Sequence, residues 1–319
     1  MISDNAQSDY VNGNFTWKKP LELFEGKDAV KICAPMVRYS KLAFRTLVRK
    51  YGVDLAFTPM IISDSFVRSI KARDSDFTTN SGDRPLIVQF AAHNAKDLAD
   101  ATEIVAPYAD GVDVNCGCPQ KWAMADGYGA HLLSDPELIK DMVVQSRSRI
   151  SDESFTVSIK IRLHQNIRQT VDLCRKAEHA GVSFITIHGR TPAQRREPPD
   201  FEAIRIVKSS LRIPVVANGD VHTLEAAAAV EEQTGADGLM SARGLLQNPA
   251  MFAGYSLTPL CCVKDWVDIS LSQGVPSGCF QHHLSYMLEK VLPRPQVRVL
   301  NCLQSTSAII DHLRELHIL

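Results

Sequence analysis

The feature of this sequence that most constrains its fold is a series of eight short apolar runs that alternate with segments of helical periodicity. Runs that are apolar at nearly every position are typical of parallel strands buried on both faces. The eight predicted strands span residues 30–35, 55–60, 86–90, 111–115, 156–161, 184–188, 214–218 and 238–241. This alternation indicates an α/β protein built from strand–helix units.

The segments between the runs carry helix start and stop signals. Asn94 and Asp135 are good N-caps, and a proline follows Asp135 at the first helical position. Gly181 and Gly235 stand just beyond two helix ends, as C′ glycines do. The predicted helices span 40–50, 95–106, 135–149, 167–180, 200–209 and 223–233. Eight strands alternating with helices predict a (β/α)₈ TIM barrel. A doubly wound sheet is the alternative, but no G-x-G-x-x-G follows the first strand.

The length of 319 residues fits one large barrel with a small appendage. We predict an N-terminal extension over residues 1–25, a barrel domain over 26–253 and a helical C-terminal region over 254–319. Within that last region, residues 254–280 mix proline, glycine and cysteine without a clear period, whereas residues 281–318 look helical.

The net charge of the chain does not indicate a nucleic-acid partner. The net charge is -1, from 35 basic and 36 acidic residues, so any RNA contact requires positive charge gathered locally. The eight cysteines include no C-x-x-C pair and no Cys/His quartet with zinc-finger spacing, so we expect no metal site. The N-terminus lacks an apolar signal-peptide core, and no run of about 20 apolar residues occurs. We therefore expect a cytoplasmic protein without a membrane partner.

Polar and cationic side chains stand at the carboxyl ends of six of the eight predicted strands. Any one of them has an ordinary structural explanation, since a lone histidine or glutamine usually just satisfies a hydrogen bond. A barrel, however, brings all its strand ends to one mouth, where barrel enzymes carry their chemistry. The residues that we predict to meet there are Gln89, Asn115, Cys118, Lys160, Arg162, His188, Arg190, Asn218, Gly219, Asp220, Ala242 and Arg243.

These strand ends suit a ligand with one phosphate and one flat ring. Gly219 and Arg243 follow the seventh and eighth predicted strands, where barrels often bind phosphate through backbone N–H groups and a helix N-terminus. Gln89 and Lys160 suit the polar edge of a flat ring, and a cation near a flavin's N1 region stabilises its anionic reduced form. FMN fits this description.

The motifs at the strand ends resemble those of the tRNA-dihydrouridine synthases along nearly the whole chain. Residues 112–119 (VDVNCGCP) resemble that family's V-D-(I/V/L)-N-x-G-C-P signature. Further matching segments, in the family's order, are 34–36 (APM), 88–90 (VQF), 127–133 (GYGAHLL), 158–162 (SIKIR), 186–191 (TIHGRT), 218–220 (NGD) and 242–244 (ARG). Residues 118–125 (CPQKWAMA) look most like the eukaryotic branch that acts at D-loop positions 20a and 20b.

The resemblance implies an FMN-dependent reductase of the uracil C5–C6 bond in the tRNA D-loop, with NADPH or NADH as the reductant. Hydride would pass from reduced FMN to C6, and Cys118 would protonate C5. The barrel would bind FMN, and the C-terminal region would bind tRNA. We predict FMN contacts from Pro35, Met36, Val37, Gln89, Lys160, His188, Asn218, Gly219, Asp220, Ala242 and Arg243, and substrate contacts from Asn115, Arg162 and Arg190.

A second thiol, Cys116, lies two residues before Cys118, and in an extended segment both can face one side. A thiol is mostly protonated at neutral pH and can therefore act as a proton donor. The resemblance assigns that role to the cysteine before proline, which leaves Cys116 for packing. A vicinal redox or metal site is the alternative reading of the pair, although no further ligands are spaced to complete it.

Local positive charge for RNA stands in one loop, where Arg190, Arg195 and Arg196 lie in or beside residues 191–199 (TPAQRREPP). The alternative is an ordinary solvated loop. Three other functions also remain open. They are a Schiff-base aldolase with Lys160 as nucleophile, a non-catalytic RNA-binding barrel, and a flavin reductase of a small molecule.

Overall fold

The computed structural model describes residues 17–319; the part of the predicted extension before residue 17 lies outside it. All eight predicted strands are present, together with one two-residue strand. The strands are β1 (Val30–Cys33), β2 (Leu55–Phe57), β3 (Ile61–Ile62), β4 (Leu86–Ala91), β5 (Gly111–Cys116), β6 (Thr156–Arg162), β7 (Ile185–His188), β8 (Val215–Asn218) and β9 (Gly238–Ser241).

The sheet closes on itself, which confirms the predicted TIM barrel. The strand order is β2-β1-β9-β8-β7-β6-β5-β4, every pairing is parallel, and β2 pairs with β4 to complete the circle. The second predicted strand is shorter than expected, because the chain leaves the ladder before Pro59, which has no N–H to donate. It returns as β3, which pairs with β4 alone within the described residues.

The helices of the barrel begin and end close to the predicted positions. Asn94 and Asp135 cap their helices through side-chain oxygens that accept from Asp97 N at 2.8 Å and Leu138 N at 3.0 Å. The helices up to residue 250 are α1 (Pro20–Leu23), α2 (Leu42–Lys50), α3 (Ser63–Arg68), α4 (Ile70–Asp76), α5 (Ala95–Val105), α6 (Lys121–Ala125), α7 (Pro136–Ser148), α8 (Ile167–His179), α9 (Phe201–Ser209), α10 (Leu224–Thr234) and α11 (Arg243–Gln247).

The C-terminal region is more helical than its sequence suggested. Its helices are α12 (Leu260–Ser272), α13 (Ser277–Leu288), α14 (Arg294–Cys302) and α15 (Thr306–Glu315). The stretch 254–280, which shows no clear period in the sequence, holds the whole of α12. This helix buries a stripe that includes Cys262, Trp266 and Ser270, so cysteine and serine occupy positions where a periodicity search looks for aliphatic residues. Against this face of the helix, Phe44 of α2 and His283 of α13 pack on the Trp266 ring.

The barrel interior is divided into an apolar lower half and a polar upper half. The lower half is filled by buried side chains from five strands, from Ala34 just after β1 and from Phe184, and Phe24 packs beneath them with its ring centroid 5.4 Å from that of Phe184. Below the strands, Trp17 Nε1 donates to Asp110 Oδ1 at 2.8 Å, and Arg84 pairs with the same carboxylate. The side chains of the lower half are Val30, Ile32, Ala34, Leu55, Phe57, Ile87, Phe184, Val216 and Met240.

Candidate active site

A cavity of about 470 Å³ opens at the carboxyl ends of the strands. It brings together eight of the predicted site residues, whereas Met36 packs in the hydrophobic core and residues 218–220 and 242–243 are not among the lining residues. Met60, Ile62 and Trp122 also line it, and the sequence did not point to them. The lining residues are Pro35, Val37, Met60, Ile62, Gln89, Asn115, Gly117, Cys118, Pro119, Gln120, Trp122, Lys160, Arg162 and His188.

Cys118 lies on the loop that leaves β5, and its backbone is held from two sides. Asn115 Oδ1 accepts from the N–H groups of Gly117 at 3.1 Å and Cys118 at 2.9 Å. On the other side, Ala130 N donates to the Cys118 carbonyl at 2.9 Å. Gly129 has a φ of +63°, and a Cβ there would lie 2.6 Å from the same carbonyl oxygen. The thiol therefore stands in the cavity on a fixed backbone.

The structure places the thiols of Cys116 and Cys118 in different environments. Cys116, the last residue of β5, is fully buried in the hydrophobic core, and burial raises its pKa well above the ordinary value. Cys118 is only partly buried and lines the cavity. The two side chains therefore do not form a vicinal pair at the site.

A line of buried polar side chains crosses the upper half of the interior. Ser158 Oγ donates to Asp113 Oδ1 at 2.7 Å, and Gln89 Nε2 donates to Asp113 Oδ2 at 2.8 Å. Asn115 Nδ2 then donates to Gln89 Oε1 at 2.8 Å. Burial raises the pKa of Asp113 to about 6, although its hydrogen bonds and Lys160 oppose that shift. We did not predict Asp113 or Ser158; Asp113 stands two positions before Asn115, so the two-residue period of a strand points both inward.

Lys160 and His188 form one polar wall of the cavity. Lys160 Nζ donates to Asn218 Oδ1 at 2.9 Å, and burial lowers its pKa to about 8. Burial and the neighbouring cations, with Lys160 and Arg162 foremost, lower the pKa of His188 to about 2. His188 is therefore neutral, and its Nε2 accepts from Arg190 Nη1 at 3.1 Å, which leaves the ring proton on Nδ1.

Arg190 is buried instead of exposed at the mouth, where we predicted a substrate contact. Its side chain is 2% exposed; it donates to Asp220 Oδ2 at 2.5 Å and also bonds the Glu197 carbonyl. Arg243 Nη2 donates to the other carboxylate oxygen of Asp220 at 2.7 Å. Asp220 thus ties the ends of β7, β8 and β9 together, and Arg190 positions these loops in the structure.

The rim of the cavity offers both charge and an aromatic face. Arg162 Nη1 donates to the carbonyls of Thr191 and Gln194, which anchors the arginine-rich loop beside the cavity. Burial lowers the pKa of Arg162, and the nearby Arg190 and Arg195 add to the effect. Trp122, on α6, is 46% exposed, and exposed rings beside a cavity are surfaces on which bases stack.

No helix among the described residues is long and apolar enough to cross a bilayer. In residues 17–319, no three His, Cys, Asp or Glu side chains are grouped in a way that suits a metal ion.

The family model described as Dihydrouridine synthase (Dus) matches residues 32–309, which include every barrel strand except the first two residues of β1 and every residue of the cavity wall. The chain belongs to the dihydrouridine synthase family, a conclusion that agrees with the closed barrel and with the placement of Cys118 at its mouth.

Individual relatives extend over nearly the same length. A protein of Mus musculus named tRNA-dihydrouridine(20a/20b) synthase (NAD(P)+)-like is 61% identical over 298 residues, which are 93% of this chain and 92% of the relative. The Homo sapiens protein of the same name is 60% identical over 298 residues, with 93% and 94% covered. The Schizosaccharomyces pombe protein named tRNA-dihydrouridine(20a/20b) synthase (NAD(P)+) is 42% identical over 302 residues, with 93% and 92% covered.

Among solved structures, the old yellow enzyme from Trypanosoma cruzi superposes with a TM-score of 0.51 at 10% identity, covering 69% of this chain and 86% of its own. The old yellow enzyme homologue from Zymomonas mobilis gives 0.50 at 11% identity, with the same coverage. At such low identity this likeness concerns the barrel fold alone.

Proposed function

We propose that this protein is an FMN-dependent tRNA-dihydrouridine synthase that reduces uridine at D-loop positions 20a and 20b, with NADPH or NADH as the reductant. One observation carries the proposal: the Cys118 thiol and the Lys160 amine line the same cavity, so a proton donor faces a cation there. The names of the relatives from three organisms support the tRNA substrate, the two positions and the nicotinamide reductant.

The residues of the cavity fit an FMN. Lys160 Nζ makes one hydrogen bond, to a neutral amide, and has no carboxylate partner among the described residues, so it suits the anionic edge of a reduced flavin. Arg243, which pairs with Asp220 at the end of β9 and is 59% exposed, suits a phosphate, while Gln89 and neutral His188 complete the polar wall of the cavity. When bound, FMN supplies the hydride that reduces C6 of the uracil.

The protein's own residues hold the base and supply the proton. Cys118, fixed by Asn115 and Gly129, presents its S–H to C5 as the C5–C6 bond is reduced, and a thiolate remains. The target base must leave its stack to enter the cavity, which is easier in a loop than in a duplex. Trp122 at the rim offers it an aromatic face, and the loop anchored by Arg162 carries exposed arginines for the phosphates.

The substrate is tested by mapping dihydrouridine in tRNA from cells that lack the protein and from cells that carry it again. We expect positions 20a and 20b to lose the modification and to recover it. Unchanged dihydrouridine at every position would refute the substrate.

The proton donor is tested by a matched pair of cysteine variants. Cys118→Ala should retain its flavin absorbance yet lose reduction of uridine in tRNA, because only the donor is removed. Cys116→Ala should keep the activity, because this thiol is buried in the core and does not line the cavity. Full activity of Cys118→Ala would overturn the assignment.

A further inference from the structure

The buried polar line at the top of the barrel has a fixed direction. A carboxylate only accepts hydrogen bonds, so Gln89 must turn its NH₂ group toward Asp113. The Gln89 carbonyl oxygen then faces Asn115, which must turn its own NH₂ group toward Gln89. This leaves Asn115 Oδ1 to accept from the Gly117 and Cys118 N–H groups.

If the side-chain amide of Gln89 or of Asn115 were turned around, two acceptors or two donors would face each other. A flipped Gln89 would point its carbonyl at a carboxylate, and a flipped Asn115 would point an NH₂ group at two N–H donors. Asp113, Gln89 and Ser158 are at most 1% exposed and Asn115 is 9% exposed, so water does not easily replace a lost partner. The orientation of Gln89 therefore follows from the acceptor at position 113, and Asn115 is held by Gln89 on one side and by the two N–H donors on the other.

We propose that Asp113 is a positioning residue for the reaction: its acceptor-only carboxylate sets the direction of the chain Asp113–Gln89–Asn115 and thereby holds the Cys118 backbone where its thiol can donate a proton. Asp113 does not line the cavity and acts through Asn115. The register supports this role, because Gln89, Asp113 and Ser158 are direct neighbours across β4, β5 and β6. The consequence for catalysis rests on the proposed function, but the positioning of the thiol does not.

The first test compares two substitutions of Asp113 whose side chains are close to aspartate in size. Asp113→Asn keeps an acceptor for Gln89, because its NH₂ group can face Ser158 Oγ, which then accepts. Asp113→Leu fills the same space without an acceptor. The readout is the rate at which iodoacetamide alkylates Cys118, followed by peptide mass spectrometry of the purified protein. The exposed Cys261 and Cys302 are internal references in every sample.

We expect Asp113→Leu to raise the Cys118 alkylation rate by about fivefold or more, the effect of losing roughly one net hydrogen bond that closes the loop. Asp113→Asn should stay within about twofold of the wild-type rate. Thr186→Val is the control: it removes a buried hydroxyl on β7 that has no hydrogen-bond partner among the described residues, and it should change nothing. Equal alkylation of Cys118 in wild type and Asp113→Leu would overturn the proposal.

The second test reverses the direction of the hydrogen bonds from Asp113 through Gln89 to Asn115. It uses other variants, so it remains informative if Asp113→Leu does not fold. Asn115→Asp keeps an acceptor for the Cys118 N–H but faces Gln89 with a second acceptor, so it should raise the alkylation rate. Adding Asp113→Asn restores a consistent set of hydrogen bonds in the opposite direction, in which Gln89 donates to position 115 and accepts from position 113. We expect the double variant to return to within about twofold of wild type. A double variant as reactive as Asn115→Asp alone would contradict the directional role.

Steady-state kinetics with tRNA complete the design. Asp113→Leu should lower kcat about tenfold, equivalent to about 1.4 kcal/mol in the barrier, and leave the KM for tRNA unchanged. If the alkylation rates respond but the wild-type protein forms no dihydrouridine, the proposed function fails while the positioning role stands. If the wild type reduces tRNA and Asp113→Leu keeps the same kcat, Asp113 does not position the donor.

Discussion

Gly129 packs so closely on Cys118 that a Cβ at position 129 would lie 2.6 Å from the Cys118 carbonyl oxygen and 2.9 Å from the Cys118 Cβ. We expect Gly129→Ala to displace the Cys118 loop and to lower the rate of uridine reduction at least tenfold, because a misplaced catalytic group costs about that much or more. It should also lower the free energy of unfolding by about 2 kcal/mol, through strain at positive φ and the contact itself. Activity assays and urea denaturation measure the two effects.

The matched control is Gly274→Ala. Gly274 has the same φ of +63°, but a Cβ there would have no neighbour within 4 Å. This variant should share the backbone strain, at about 1 kcal/mol, and keep the activity. Equal activities of the two variants would show that the contact with Cys118 does not matter.

Flavin affinity should depend on pH through Lys160. Its pKa of about 8 means that the amine is charged below that pH and neutral above it. The Kd for FMN should therefore rise above about pH 8, by up to tenfold per pH unit. Lys160→Met should bind FMN more weakly at neutral pH and should lack the rise. Fluorescence titration measures the Kd, and Lys176→Met, at an exposed lysine of α8, is the control; a pH dependence that persists in Lys160→Met would refute the assignment.

His283 should make the C-terminal region sensitive to acid. Its ring stacks on Phe44 with centroids 4.6 Å apart, and burial lowers its pKa from 6.5 to about 3. Between these values the unfolded chain binds a proton that the folded chain does not, so the free energy of unfolding falls as the pH falls below 6.5. His283→Phe keeps the stacking and should remove about 2 kcal/mol of the loss between about pH 7 and pH 5.

Urea denaturation at the two pH values measures that difference. His179→Gln, which changes an exposed histidine at the end of α8, should keep the wild-type loss. If His283→Phe loses as much stability as wild type on acidification, burial of this ring does not cause the acid sensitivity.

The exposed arginines of the 191–199 loop should contact tRNA phosphates. Arg195 and Arg196 are exposed, and their side chains form no ion pair among the described residues. Replacing both with glutamine should weaken tRNA binding at every salt concentration and reduce the slope of log Kd against log salt by about 1 for each arginine. Binding titrations over a series of salt concentrations provide the slope. Arg205→Gln, on the outer helix α9, should leave it unchanged, and an unchanged slope in the double variant would remove this loop from the RNA interface.

The sequence predicted the barrel because its strands are buried on both faces, and the resulting apolar runs leave a clear signal. The strand ends then located Gln89, Lys160 and His188, since topology alone brings those positions to one mouth. The sequence did not predict α3 and α4, two short helices inserted between β3 and β4, because their polar sequences have little periodicity.

Burial was harder to predict than position. Arg190 follows β7 and carries a full charge, which in sequence indicates an exposed residue. Its burial depends on Asp220, 30 positions later, and only the closed sheet brings that carboxylate to the guanidinium. Asp113 was missed for a similar reason, because its partners Gln89 and Ser158 stand on two other strands.

The apolar lower half of the barrel also has a consequence for proton exchange at the site. Phe24, Phe184 and the packed aliphatic side chains separate the interior from the solvent below, and Trp17 and Arg84 cover Asp110 on that side. The packed lower half therefore favours exchange with bulk water through the mouth. Under the proposed function, a nucleotide that fills the mouth would slow proton exchange between the cavity and bulk water. Under the proposed function, the Cys118 thiolate left by one reduction would exchange with water most readily after the product has left, which links product release to resetting the acid.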